Sequence, residues 1–285
     1  MIRLVSILVI SFVVNAGEHA SMYRQRLTCA FHSGPITLPD INELLRLQRA
    51  MAAEFAGSAR QATWTPLNMQ RLVVDDVIYI QETAEQLNGR GLFAIREQTD
   101  SRPLLIQAPH AQYDKYTGVL AAQLFAEGGL KAAMWNTVSR YARIKDRSNH
   151  VTADMAHLTG TYWQAITELF AQHYRNGRVV QLHGFKQSTR HSTAGKNSDI
   201  ILSAGHYYPP RWVRSVARCL KTFPGSKVSL FPDDVRELGA TTNAQSHRLQ
   251  QLGFKGFLHI EMSGSMRQQL INSRKLRQQL VDCLQ

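Results

Sequence analysis

Two histidines and two carboxylates lie where apolar runs of this sequence end, and together they have the composition of a metal centre. His110 and Asp114 follow the run PLLIQA, His183 follows VVQL, and Glu261 follows FLHI. Neutral imidazoles and a carboxylate hold Zn²⁺ while a water takes an open position. The ion lowers the pKa of that water toward about 7, and a further carboxylate passes its proton to a leaving nitrogen. Taken singly, each histidine could instead be a hydrogen-bonded structural residue, and Glu261 could pair with a core arginine.

These residues need a sheet that brings strand ends together. The predicted strands cover 71–82, 89–97, 103–108, 130–139, 178–185, 198–205, 227–232 and 254–263. The predicted helices cover 38–55, 118–129, 154–177, 210–225, 242–252 and 266–284. This alternation predicts an α/β fold whose central sheet is mixed and largely parallel, with helices on both faces. In such sheets ligands bind beyond the carboxyl ends of the strands, which is where His110, His183 and Glu261 lie.

The positive net charge of the chain bears on the kind of molecule that it could bind. The chain has 285 residues, and 33 Lys+Arg against 21 Asp+Glu give a formal net charge of +12. At about 100–200 residues per domain this is one large domain or two small ones. A positive field favours polyanionic partners, but the basic residues are scattered and no nucleic-acid-binding motif is present. We therefore expect no nucleic-acid partner, whereas the charge itself does not choose among an anionic membrane, cell wall and an acidic small-molecule or peptide substrate.

The N-terminus has the pattern of an export signal. One cationic residue, Arg3, precedes an apolar stretch at 4–14, and small residues follow it. The stretch is shorter than the ~20 residues that span a bilayer, so we expect a cleaved signal peptide at 1–16, or as far as residue 20. An uncleaved anchor and a buried strand are the alternatives. The expected location is secreted or periplasmic, without stable membrane insertion after cleavage.

Three cysteines are few for a secreted chain, and one pair could form a disulfide in an oxidising compartment. Cys219 and Cys283 both lie in predicted helices and are the expected pair. This pairing leaves Cys29 free.

Residues 103–270 resemble the N-formylglutamate amidohydrolase family and its relatives in the zinc carboxypeptidase-like superfamily, which includes poly-γ-glutamate hydrolases. The resemblance lies in the segments PLLIQAPHAQYD, AMWNTVSRY, DMAHLTGTY, VVQLHGF and FLHIEMSGSMR. It implies a zinc carboxypeptidase (phosphorylase/hydrolase-like) fold over 101–285, joined to an N-terminal helix and strands at 21–100. It further implies that His110 and His183 bind zinc and that Glu261 is the general acid/base.

One departure from the family pattern concerns the carboxylate ligand. Carboxypeptidase-like enzymes pair the first histidine with a glutamate as His-x-x-Glu, but Tyr113 stands at that place. Asp114, the next residue, is the obvious replacement, and Asp154 is the second candidate. Asp114 could instead cap the helix that starts near Thr117.

The resemblance also suggests residues that bind the substrate. Asn136 and Arg140 are similar to the Asn/Arg pair with which such enzymes bind a terminal carboxylate, although a solvated arginine is the alternative. Arg267, just past Glu261, could bind a substrate carboxylate. The segment AGHYYPPRW, which contains Arg211, is expected to form the rim of the cleft.

Together with the predicted signal peptide, the resemblance implies an exported zinc hydrolase that cleaves an amide or peptide bond next to an acidic group. N-acyl glutamate, γ-glutamyl and peptidoglycan-type compounds are the expected substrates, and the enzyme is either a deacylase or a peptidase. The alternative is a non-catalytic module that binds acidic peptides or cell wall on a degenerate hydrolase fold. The missing glutamate of His-x-x-Glu favours that alternative.

Overall fold

The computed structural model describes residues 21–285 apart from 22, 24, 29, 98–99 and 146–150. The predicted signal peptide and Cys29 lie outside the described residues.

The strands of the described chain form one mixed sheet. They are β1 (Met69–Val74), β2 (Val77–Glu82), β3 (Leu92–Arg96), β4 (Arg102–Ala108), β5 (Leu130–Trp135), β6 (Arg178–Gly184), β7 (Ile200–Ser203), β8 (Val228–Leu230) and β9 (Phe257–Met262). Their order is β1-β2-β3-β5-β4-β6-β9-β7-β8. Parallel pairing joins β5, β4, β6 and β9 at the centre and also β7 with β8, and the remaining neighbours are antiparallel. The predicted mixed α/β sheet is confirmed. Four of the eight pairings between the described strands are parallel, and three of these four lie at the centre of the sheet.

Helices cover both faces of this sheet, as predicted. They are α1 (Ile41–Phe55), α2 (Gln61–Trp64), α3 (Thr117–Gly128), α4 (Tyr162–His173), α5 (Thr193–Asn197), α6 (Arg211–Leu220), α7 (Ala244–Gln251), α8 (Gly264–Asn272) and α9 (Arg274–Cys283). Successive strand residues point to opposite faces, so Ile106 packs in the core under α3, α6, α8 and α9, and Leu105 packs in the core under α1, α4 and α7. Within the described ranges, no helix has the length and apolarity needed to cross a bilayer.

The segment 71–82, predicted as one strand, is instead a hairpin. Val74 pairs with Val77, which leaves Asp75 and Asp76 as a tight turn. Asp75 has a φ of 53°, a left-handed conformation that aspartate tolerates better than most residues. The prediction missed this turn because the apolar pattern continues on both sides of it.

Two predicted helices have different bounds in the structure. The helix predicted at 154–177 begins only after Gly160, which has a φ of 68°, and the Thr161 side chain caps its first turn. The helix predicted at 266–284 is two helices, because Ser273 leaves the helical conformation and its hydroxyl caps α9.

A disulfide joins Cys219 on α6 to Cys283 on α9. This confirms the predicted pair. Because 64 residues separate the two cysteines, the bond ties the last helix back to the middle of the chain.

Candidate metal centre

The parallel strands at the middle of the sheet place three predicted site residues at one edge. His183 on β6 is paired in register with Glu261 on β9, so their side chains project side by side on the same face. His110 follows the end of β4, the other neighbour of β6. The strands alone therefore bring two histidines and one carboxylate into one cluster.

Asp114 joins the two histidines. The chain turns after β4, with the Asp114 N–H donating to the His110 carbonyl at 2.9 Å. Asp114 Oδ2 then lies 3.3 Å from His110 Nδ1 and 3.8 Å from His183 Nδ1. The same oxygen accepts the Gly184 N–H at 3.0 Å. The side chain does not cap the following helix, whose cap residue is Tyr116.

Asp154, the other candidate carboxylate, lies behind His110. Its Oδ1 is 2.8 Å from His110 Nε2, and its Oδ2 accepts from Arg140. Burial opposes its charge, but the hydrogen bond from His110 and the charges of His110 and Arg140 lower the pKa of Asp154 to about 2. A carboxylate in this place fixes which ring nitrogen carries the proton and directs the other toward a metal. Of the two aspartates, Asp114 lies between the histidines and Asp154 orients one of them.

His259, a further residue of this cluster, was not predicted from the sequence. It lies two residues before Glu261 on β9, so both side chains are on one face, and this spacing was the available signal. Its Nε2 is 3.8 Å from Glu261 Oε1, and its ring centroid is 4.3 Å from that of His183. These three residues form a second group that could hold a metal ion, alongside the group of His110, Asp114 and His183.

Two buried polar atoms of this cluster have no hydrogen-bond partner among the described residues. They are His259 Nδ1 and Glu261 Oε2. Buried polar atoms are almost always paired, so a cluster with two unpaired ones fits the binding of an ion or a polar ligand. The donor set of imidazoles and carboxylates is one that Zn²⁺ prefers.

Burial sets the charges of the cluster. It lowers the pKa of His183 well below the usual value and that of His259 to about 3. Burial together with the charge of Asp114 raises the pKa of Glu261 to about 8. For His110, burial lowers the pKa, but the hydrogen bonds and charges of Asp114 and Asp154 outweigh it and raise the pKa overall. His183 and His259 are therefore neutral at pH 7, which is the form that binds metals.

The cluster opens into a cavity of ≈ 390 Å³ with cationic walls. Arg140, Lys186 and Arg190 line it together with the candidate ligands. Arg190 Nε is buried and has no hydrogen-bond partner within the described chain. Arg267, which was predicted to bind a substrate carboxylate, is not among the described residues that line this cavity. It packs against Gly184, and its Nη1 donates to the Lys115 carbonyl at 2.6 Å. The charge of the walls suits an acidic ligand.

Two further predicted substrate-binding residues do not line this cavity. The Asn136 amide donates to the Pro109 and Val138 carbonyls and accepts the Val138 N–H, each at 3.0 Å. These bonds use the side chain to shape the loop after β5, so it is not free to bind substrate. Arg211 lines a different cavity with Arg214. Among the described lining residues of the metal-centre cavity, none comes from 204–212, so the expected rim is not there.

No protein-family model and no curated protein matches the sequence. A succinylglutamate desuccinylase from Chromobacterium violaceum is similar at 11% identity and a TM-score of 0.42, over 83% of this chain and 73% of the other. A metallo-carboxypeptidase from Burkholderia cenocepacia gives 11% and 0.41, over 82% of this chain and 67% of the other. An aminopeptidase from Legionella pneumophila gives 12% and 0.42, over 99% and 77%. With identities of 11–12% and TM-scores of 0.41–0.42, these similarities carry no argument about fold or activity, and both have to follow from the structure of this chain.

Proposed function

We propose that this protein is a zinc-dependent hydrolase that cleaves an amide or peptide bond next to an acidic group. The observation that carries the proposal is the position of Asp114 Oδ2, 3.3 Å from His110 Nδ1 and 3.8 Å from His183 Nδ1. Two imidazoles and one carboxylate are the ligand set of zinc sites that keep a position open for chemistry.

His110, Asp114 and His183 would hold the metal. A zinc ion supplies a positive charge that polarises the scissile carbonyl and lowers the pKa of a water. The three side chains are largely buried, with 3%, 12% and 5% of their surface exposed. Low exposure strengthens the electrostatic interactions among them.

Glu261 is placed to move the proton. It lies across from His183 in register, and its Oε2 has no hydrogen-bond partner among the residues described. Its pKa of about 8 lies close to neutral pH, so the carboxyl can both accept and release a proton there. We assign it to accept the proton of the attacking water and to deliver it to the leaving nitrogen.

Cationic side chains would bind the acidic part of the substrate and the oxygen that becomes negative. Arg140 Nη1 lies 3.2 Å from His110 Nδ1, and a cation within the metal centre would stabilise an oxygen that gains negative charge during attack. Lys186 and Arg190 lie further along the cavity wall. The substrate classes that fit are N-acyl glutamates, γ-glutamyl compounds and peptidoglycan-type peptides.

The proposal includes export to a secreted or periplasmic location. Its supports are the N-terminal pattern of a signal peptide and the disulfide between Cys219 and Cys283, since disulfides persist in oxidising compartments. The non-catalytic alternative was favoured by the missing glutamate of His-x-x-Glu. Because Asp114 lies between the two histidines, that observation no longer favours it.

The test uses the purified full chain. We expect about one zinc per chain and chelator-sensitive hydrolysis of N-acyl glutamates or γ-glutamyl peptides. Glu261→Gln should retain zinc and lose about 100-fold or more in rate, in line with loss of general acid/base catalysis. The exposed Glu85 provides the matched control, Glu85→Gln, which should retain full activity. A wild-type protein without zinc, or full activity in Glu261→Gln, would contradict the proposal.

A further inference from the structure

Beneath the candidate metal centre lies a layer of buried amide side chains that the proposed chemistry does not use. Gln181 precedes His183 by two residues on β6 and so shares its face, and its side chain is fully buried. Its Oε1 lies 3.5 Å from His183 Nε2, at the long end of the hydrogen-bond range. We propose that Gln181 is a positioning residue that holds the proton of His183 on Nε2 and thereby leaves Nδ1 free for the metal.

The orientation of the Gln181 amide follows from its partners, beginning with Asn243. Asn243 caps α7, and its Oδ1 accepts the Ser246 N–H at 2.9 Å. Its Nδ2 must therefore face the other way, and it donates to Gln181 Oε1 at 2.8 Å. The oxygen of Gln181 is thus on the side of Asn243 and His183.

A second series of hydrogen bonds, on the nitrogen side of the amide, requires the same orientation of Gln181. The Thr167 hydroxyl donates to the Trp163 carbonyl at 2.7 Å, so its oxygen accepts from Gln107 Nε2, also at 2.7 Å. Gln107 Oε1 is then the acceptor left for Gln181 Nε2, at 3.0 Å. The nitrogen of Gln181 therefore points toward β4 and away from His183.

Gln245 provides a third, independent constraint. Its Nε2 donates to the Met155 carbonyl at 2.9 Å, so its Oε1 is the atom that accepts from Gln181 Nε2, at 3.1 Å. Turning the Gln181 amide over would place oxygen against oxygen on this side and nitrogen against nitrogen on the side of Asn243. Three contacts therefore oppose the flip.

The tautomer of His183 follows from this orientation. A neutral imidazole has one donor and one acceptor nitrogen, and an amide oxygen only accepts. The nitrogen that faces Gln181 Oε1 must carry the proton, so Nδ1, which faces Asp114 Oδ2 at 3.8 Å, has the free lone pair. A metal ligand held by a fixed acceptor on its other nitrogen binds more tightly.

The first test measures the tautomer in the metal-free full chain. Nitrogen-15 shifts of labelled histidines distinguish protonated from unprotonated ring nitrogens, and His183→Gln identifies the signal by its loss. We expect His183 to carry its proton on Nε2 at neutral pH. A proton on Nδ1, or an even mixture, would overturn the proposal. The measurement needs neither metal nor a variant of Gln181, so it stands if that variant does not fold.

The second test measures zinc affinity, and it rests on the proposed metal-dependent function. Gln181→Met removes the acceptor at similar volume, and we expect it to weaken zinc binding about 10–100-fold and to mix the two tautomers. Gln181→Glu restores an acceptor and should return the Nε2–H tautomer, which a merely structural role would not predict. Gln123→Met, on α3, is the matched control. Unchanged zinc affinity in Gln181→Met would overturn the proposal, whereas absence of zinc in the wild type would count against the function alone.

Discussion

Asp154 and Asp114 hold the ring of His110 from opposite edges. Asp154 Oδ1 lies 2.8 Å from Nε2, and Asp114 Oδ2 lies 3.3 Å from Nδ1. Arg140 donates to the second oxygen of Asp154 and also approaches His110 Nδ1. A carboxylate only accepts, so the short contact with Asp154 requires a proton on Nε2, and in the neutral ring Nδ1 then keeps its lone pair. The ring is therefore oriented for metal binding before any metal arrives.

Replacing Asp154 by asparagine should weaken this orientation. Asp154→Asn keeps the size of the side chain but removes the charge that holds the His110 Nε2–H. We expect zinc affinity to fall about 10–100-fold, measured by competition with a chelator of known affinity. Asp282→Asn, at an exposed position, should bind zinc as the wild type does. Equal affinity in Asp154→Asn would mean that Asp154 does not orient the ring.

Arg190 should determine the preference for acidic substrates. It lines the cavity, and its Nε is buried without a partner in the described part of the chain. Arg190→Gln should raise KM for an acidic substrate about 10-fold, as loss of a charged hydrogen bond predicts, with kcat little changed. Lys196→Gln, an exposed change nearby, should leave KM unaltered. If Arg190→Gln raises KM equally for a neutral amide analogue of the substrate, Arg190 does not recognise the acidic group.

The strand ends of the site were predictable, but the contacts between elements were not. His110, His183 and Glu261 each follow an apolar run, and the carboxyl ends of parallel strands meet at one edge. His259 was equally accessible, because alternate residues of a strand share a face.

Contacts across distant segments had no local signal in the sequence. The spacing around Asp114 fits a helix cap as well as a ligand, and only the approach of Gly184 and the histidines decides between them. Asn136 resembles a substrate-binding residue by its neighbours, but three loop groups use its amide. The partners of Gln181 come from separate elements, and a single sequence does not show which side chains will meet.

Removing the disulfide should lower stability. The bond between Cys219 and Cys283 closes a loop with a sequence separation of 64, and the chain-entropy description assigns such a loop about 4 kcal/mol. We expect the double variant Cys219→Ala/Cys283→Ala to lose about 2–4 kcal/mol of unfolding free energy in urea. Reducing agent should destabilise the wild type and leave the double variant unchanged. Both cysteines titrating as free thiols in the denatured, non-reduced wild type would rule out the bond.

The stability contributed by Glu237 should depend on pH. Glu237 accepts hydrogen bonds from the His191 N–H at 3.0 Å and the Ser192 N–H at 2.9 Å, as well as from the Ser192 hydroxyl. Burial opposes its charge, but these bonds and the charge of Arg190 lower its pKa to about 2. The folded state therefore binds the proton less tightly than the unfolded chain does. Its stabilising contribution is complete above the unfolded pKa of about 4.3 and is lost as the pH falls toward 2.

Glu237→Gln should accordingly cost about 1.5 kcal/mol of unfolding free energy at pH 6. The amide keeps one neutral acceptor oxygen, and its NH2 group cannot accept the hydrogen bond that the second carboxylate oxygen accepts. At pH 3 the difference in unfolding free energy between Glu237→Gln and the wild type should shrink. At that pH Glu237 is protonated in the unfolded wild type, which stabilises the unfolded state. Urea unfolding at both pH values measures the two differences, with Glu85→Gln as the control for an exposed glutamate. A difference that stays constant from pH 6 to pH 3 would show that the carboxylate charge does not stabilise the loop around Ser192.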